Sequence, residues 1–261
     1  MRSPDAPVRP GADPASGSPV PPDDSAYWGF YEEVAAAQLD DWLPAQPQRV
    51  LDLSGGRTRF AEQLVQAGHE VVHVRAAHDE PTPSRHGAGR LAPVVADARG
   101  LTWVRSGSVD AVLAESRALS MCLATEVTAE ELRRVLRPGG RLLLVVESLL
   151  LGLSRLADLG RWAELADVPS ADVVLVPQDD GTITRCFWPE ELDDLLTDAG
   201  LAVEWVRPRT VLSPATVVRA LEQGGAAALR TLVTTECRLA EEREGTSTGL
   251  HLVVSARRPA G

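Results

Sequence analysis

The chain has 261 residues, of which 44% are hydrophobic and 24% charged, so it can bury a substantial core. Its net charge of -11 disfavours sequence-independent binding to nucleic acid, because an acidic surface repels phosphate backbones. All 26 basic residues are arginine, which excludes a lysine base or Schiff base.

Residue usage also bears on compartment and metal chemistry. The absence of lysine and asparagine indicates a GC-rich genome such as an actinobacterial one. Three cysteines are too few and too scattered for a disulfide framework or a zinc site: Cys122, Cys186 and Cys237. Four histidines are interpreted as surface or loop residues rather than metal ligands: His69, His73, His78 and His86.

The chain shows no sign of a membrane or export segment. The amino terminus lacks a basic-then-apolar signal peptide, and the longest apolar stretch, 142–153, contains Glu147 and is too short to span a bilayer. We therefore expect a cytoplasmic protein without a membrane partner.

In chain order, residues 1–25 are rich in Pro, Asp, Ser and Gly and are predicted to be disordered. One domain is predicted over 26–261, beginning with a helix from Tyr27 to Leu43. Strand and helix patterns then alternate, which predicts right-handed crossovers and a parallel, doubly wound α/β sheet. The predicted strands are 49–53, 70–74, 91–96, 109–114, 141–146, 201–206 and 249–256.

Between these strands, apolar spacing and stop signals predict the helices. An insertion is predicted at 148–180, with a helical first half. The predicted helices cover 58–67, 130–136, 190–199 and 214–244, the last interrupted at Gly224-Gly225.

Five motifs in order resemble class I S-adenosylmethionine (SAM) dependent methyltransferases. The first, Val50-Leu-Asp-Leu-Ser-Gly-Gly56, is a strand followed by a glycine-containing turn. The most specific is a helix that ends in Val-Leu-Arg-Pro-Gly-Gly140 before a buried strand. The other three are Asp97-Ala98, Ser108-Val-Asp110, and Trp188-Pro-Glu-Glu-Leu192 followed by Asp198-Ala-Gly-Leu201.

The resemblance implies a Rossmann-like fold with a seven-stranded, mostly parallel sheet in the order 3-2-1-4-5-7-6, strand seven being antiparallel. It also implies SAM as the cofactor, bound at the carboxyl edge of the sheet, and a substrate pocket covered by the insertion at 148–180. Asp97 is in the position of the residue that contacts adenine. The cofactor-binding candidates are Asp52, Ser54, Gly55, Gly56, Arg75, Asp97, Ala98 and Glu115. No catalytic residue is assigned.

Two departures from the family pattern are visible. Ser54 and Thr58 replace two of the three motif glycines, although Gly55 and the small Ser54 keep the turn open. Arg75 follows the second strand where family members place an acid for the ribose hydroxyls, and arginine has no acceptor. Either Asp79 or Glu80 folds back to replace that acid, or Arg75 meets a phosphate, or Arg75 points to solvent.

Three functions follow from these observations. The first is methyl transfer from SAM to a small molecule, with Glu115 as either a functional or a structural carboxylate. The second is a methyltransferase-like protein that does not methylate. The third, a nucleotide-dependent oxidoreductase, is prompted by Arg75 alone and lacks the G-x-G-x-x-G motif. A nucleic-acid acceptor is disfavoured. Family members that act on nucleic acid usually carry an Asn-Pro-Pro-aromatic type of motif after the fourth strand, and this chain has Ala114-Glu-Ser-Arg117 there.

Overall fold

The computed structural model describes residues 25–55, 58–76, 88–115, 117–171, 173–178 and 181–260. The segment predicted to be disordered lies outside the described residues apart from Ser25. The described helices are α1 (Ala26–Trp42), α2 (Thr58–Gln66), α3 (Thr125–Val135), α4 (Leu149–Asp158), α5 (Trp162–Asp167), α6 (Pro189–Asp198) and α7 (Pro214–Glu242).

One sheet contains nine strands within the described residues. They are β1 (Arg49–Asp52), β2 (Glu70–Arg75), β3 (Arg90–Val95), β4 (Val109–Ala114), β5 (Leu136–Ser148), β6 (Val174–Pro177), β7 (Ile183–Phe187), β8 (Ala202–Arg209) and β9 (His251–Arg257). Seven of them lie in the order β3-β2-β1-β4-β5-β9-β8, with β9 antiparallel to both of its neighbours. The α/β class and this strand order confirm the sequence prediction.

The centre of the sheet is apolar because helices cover both of its faces. On β5, Leu142, Leu144 and Val146 pack with α3 and α6, while Leu143 and Val145 pack with α1 and α2. The predicted interruption of the last long helix is present, since Gly225 has a non-helical backbone (φ 51°, ψ -135°) within α7. None of the helices described is long and apolar enough to cross a membrane.

A β6–β7 hairpin accounts for the two strands that the sequence did not predict. The seven-stranded prediction was too low because β6 has only four residues and β7 five, too short for a clear alternation. At Glu147, β5 pairs with His251 of β9 on one edge and with Cys186 of β7 on the other. The hairpin therefore lies on the β4 side of β5, beyond the end of β4.

A buried ion pair ties the end of β8 to the end of β4 and to α1. Arg209 is fully buried and bonds both carboxylate oxygens of Glu115, at 2.6 and 2.9 Å. Its Nε donates to Gln38 of α1 at 2.7 Å. Burial acts to lower the pKa of Arg209, but the charges and hydrogen bonds of Glu115 and Tyr31 together outweigh it and leave that pKa above its usual value. Arg209 therefore remains cationic inside the protein.

Replacing one member of this pair should lower the free energy of unfolding far more than replacing both. Glu115→Gln or Arg209→Met alone should cost about 3–5 kcal/mol of unfolding free energy, because each leaves a buried polar group unpaired. The double variant should recover much of that loss. Urea unfolding of the wild type, the two single variants and the double variant measures the coupling energy between Glu115 and Arg209. Glu70→Gln, in the exposed pair with Arg49, is the control. Additive losses would contradict the prediction.

His69 should make the stability depend on pH. It is buried before β2, its Nδ1 accepts a hydrogen bond from the Gln48 amide at 3.1 Å, and burial lowers its pKa. A lowered folded-state pKa gives stability that is complete above the ordinary value of about 6.5 and is lost as the pH falls. Urea unfolding at pH 7.5 and pH 5.5 should show a larger loss for the wild type than for His69→Asn, which keeps an acceptor that does not titrate. Equal losses would exclude His69 as the cause.

Candidate active site

The candidate site lies where the chain order of the sheet reverses. The chain runs outward from β1 to β2 and β3 and then returns to β4 on the other side of β1. In open α/β sheets, such a reversal leaves a crevice at the carboxyl ends of the strands, where ligands bind. Seven predicted residues follow or end four neighbouring strands at this edge: Asp52, Ser54, Gly55, Arg75, Asp97, Ala98 and Glu115. Gly56, the eighth, lies outside the described residues.

The turn after β1 is held by the carboxylate of Asp52. This side chain is fully buried, and its Oδ1 accepts the backbone N–H of Ser54 at 2.9 Å. Gly55 has φ 66°, a left-handed conformation that glycine adopts without strain. The Ser54 hydroxyl is buried and has no hydrogen-bond partner in the part of the chain that the structure describes. The turn thus carries a buried polar atom with unused bonding capacity.

His73 is a member of the site that sequence reasoning missed. The parallel register of β1 and β2 places it opposite Asp52, and its Nδ1 lies 2.8 Å from Asp52 Oδ2. The interpretation of His69 and His73 as surface or loop residues was wrong, because both are buried. The signal was available in the alternation of β2, since His73 lies between apolar residues of a central strand. His78 and His86 lie outside the described residues.

The ends of β2 and β3 contribute one cation and one anion. Arg75 is the last residue of β2 and is partly buried. Its predicted substitutes as acceptors, Asp79 and Glu80, lie outside the described residues. The Asp97 side chain is 57% exposed and is bound by the Arg99 guanidinium at 2.9 and 3.0 Å. Hydrogen bonds from Arg99 hold the pKa of Asp97 below its usual value, so this residue stays ionised.

The two remaining candidates differ in what they can offer a ligand. Ala98 is partly buried and packs against the core. Glu115 follows β4, but Arg209 occupies both of its oxygens. Arg209 was the second residue missed, because 94 positions separate it from Glu115 in the sequence. In this arrangement Glu115 holds the edge in place, and a proton-accepting role would require it to release Arg209.

Comparisons with known proteins agree with this geometry. Residues 51–144 match the methyltransferase domain family. A stretch of 113 residues is 35% identical to the biotin biosynthesis bifunctional protein BioHC of Cellvibrio japonicus, and it covers 42% of this chain and 22% of that protein. The chain therefore spans about a fifth of that relative.

A second relative is similar over most of its length. An uncharacterized methyltransferase of Mycobacterium tuberculosis is 32% identical over 171 residues, which cover 62% of this chain and 69% of that protein.

The fold has solved counterparts. The 1,6-didemethyltoxoflavin-N1-methyltransferase of Burkholderia thailandensis, crystallised with bound 1,6-didemethyltoxoflavin and S-adenosylhomocysteine, superposes with a TM-score of 0.55 at 18% identity. That superposition covers 90% of this chain and 81% of the Burkholderia chain. With the strand order, the turn after β1 and the M. tuberculosis relative in agreement, the chain belongs to the class I SAM-dependent methyltransferase family.

Proposed function

We propose that the protein transfers a methyl group from SAM to a small-molecule acceptor. The observation that carries the proposal is the buried Ser54 hydroxyl in the turn after β1, which has no partner among the described residues. A buried hydroxyl without a partner is costly, and a polar ligand would satisfy it. It lies at the crevice where this family holds its cofactor.

The residues present fit a ligand of this kind. SAM carries a carboxylate, a sulfonium and two ribose hydroxyls, and when bound it supplies an electrophilic methyl group. Ser54, Gly55 and Gly56 would hold it at the turn that Asp52 and His73 fix in place. Arg75, Asp97 and Ala98 complete the proposed set at the ends of the next two strands. Glu115 supports the set from the end of β4 through Arg209.

The chain's contribution to the reaction is positioning and exclusion of water. Holding an acceptor atom in line with the methyl group removes much of the entropic barrier, and a dry site strengthens every polar contact within it. With both Glu115 oxygens bound by Arg209, the structure favours an acceptor that needs little help from a base. The net charge of -11 favours a small acceptor over a nucleic acid.

A second candidate rests on Arg75. Its guanidinium cannot accept the ribose hydroxyls as an acid would, so a protein of this fold that has lost methyl transfer is the alternative. Calorimetric titration with SAM and with S-adenosylhomocysteine separates the two. Micromolar binding together with formation of S-adenosylhomocysteine on incubation with SAM and an acceptor supports methyl transfer. Binding of neither ligand would contradict it.

Ser54→Ala should weaken cofactor binding without destabilising the fold. A lost neutral hydrogen bond costs about 0.5–1.5 kcal/mol, which corresponds to about 2- to 12-fold in affinity. Because the Ser54 hydroxyl has no partner in the described part of the chain, the free energy of unfolding should not fall. Calorimetry and urea unfolding measure the two quantities, with the exposed Ser170→Ala as a matched control. Unchanged affinity would remove Ser54 from the site.

A further inference from the structure

A buried carboxylate with two arginines lies at the carboxyl ends of β4 and β5. The Glu147 side chain, at the end of β5, is 1% exposed. Its Oε1 accepts from Arg117 Nη1 at 2.6 Å and its Oε2 from Arg155 Nη1 at 2.7 Å. The Thr184 hydroxyl of β7 donates to Oε2 at 3.0 Å. Both carboxylate oxygens are therefore satisfied.

These three side chains carry a formal surplus of one positive charge. Two guanidiniums share one carboxylate, and both are partly withdrawn from water, with side-chain exposures of 35% for Arg117 and 18% for Arg155. Arg185 is the residue after Thr184 on β7, so the alternation of the strand directs it to the opposite face. There Glu126 and Glu191 compensate its charge. A partly buried surplus charge is stabilised by an anion.

Arg117 is the member of this group that a ligand can reach. It is more exposed than Arg155, and within the described residues it uses Nη1 on Glu147. A guanidinium has five N–H donors in a planar fork, so one bond to Glu147 leaves donors for a second carboxylate. Its backbone has φ 58°, a conformation that is unusual outside glycine and is concentrated at functional sites.

Arg117 lies on the opposite side of the crevice from the proposed cofactor contacts. It follows β4, which is paired directly with β1, and Leu53 donates its backbone N–H to Leu113 of β4. The proposed cofactor contacts come from the ends of β1, β2 and β3. The ends of β4 and β5 therefore flank the other side of the same crevice, which is the side left for the acceptor.

We infer that the methyl acceptor carries a carboxylate, which Arg117 binds at the β4–β5 side of the crevice. The inference rests on the proposed function, because the bound molecule is a methyl acceptor only if the protein transfers a methyl group. The surplus of one positive charge matches a monoanion better than a dianionic phosphate. Met121 and Leu123, exposed in the same loop, would accompany an acceptor with an apolar body.

Benzoate and benzamide test this directly, because they share size and shape and differ in charge. Each is titrated calorimetrically into the 261-residue chain, both unliganded and saturated with S-adenosylhomocysteine, with inorganic phosphate as a third probe. Arg117→Gln removes the charge and Arg117→Lys keeps it without the planar fork. The control is Arg161→Gln, which removes an arginine from an exposed ion pair with Glu164, away from the Glu147 cluster.

Wild type and Arg161→Gln should bind benzoate at least tenfold more tightly than benzamide or phosphate. Arg117→Gln should lose that preference and Arg117→Lys should keep part of it, while the affinity for S-adenosylhomocysteine stays within twofold in all variants. A purely structural role for Arg117 would lower the melting temperature without affecting the benzoate preference.

Equal binding of benzoate and benzamide by the wild type would overturn the inference, as would a preference that survives in Arg117→Gln. Tighter binding of phosphate than of benzoate would overturn the assignment to a carboxylate. If Arg117→Gln does not fold, the wild-type comparison decides. Failure of S-adenosylhomocysteine to bind would count against methyl transfer and the acceptor role together, whereas loss of the benzoate preference alone would leave methyl transfer standing.

Discussion

The structure is organised around β5, a strand that is hydrogen-bonded along both edges and covered on both faces. It pairs with β4 on one edge, with β9 on the other, and with β7 beyond the end of β4. A strand in this position has to be apolar on both faces, and residues 142–146 are fully buried. The helices on the two faces follow from that requirement.

The same burial creates the chemistry at the end of the strand. Glu147 is the first charged residue after the apolar run, and it lies where the sheet and the β6–β7 hairpin still exclude water. A carboxylate there needs partners, since an unpaired buried charge costs several kcal/mol. Arg117 and Arg155 supply them from the β4–α3 connection and from α4. The cluster of Glu147, Arg117 and Arg155 is thus a consequence of an apolar strand that extends to the edge of the crevice.

The fold was predictable from the sequence because its signals are local. The apolar strands, the Pro-Gly-Gly stop and the turn after β1 each depend on residues that are near one another in the chain. The Asp52–His73 and Glu115–Arg209 pairs were not predictable, because the first depends on the register of two strands and the second joins residues 94 positions apart. The hairpin was missed because its strands are short. The roles assigned to Arg75, Asp97 and Gly56 remain predictions.

The charges at the crevice bear on which ligands it can accept. Of its carboxylates, Asp52 is paired with His73, Glu115 with Arg209, and Glu147 with two arginines. These three are engaged within the protein, whereas Asp97, bound by Arg99, is 57% exposed and is the carboxylate most open to a ligand. The guanidiniums of Arg75 and Arg117 favour ligand groups that accept hydrogen bonds or carry negative charge. The carboxylate of SAM and a carboxylate on the acceptor both meet that condition. In the proposed acceptor site, the net charge of -11 would disfavour polyanions at long range, while Arg117 would bind a single small anion at close range.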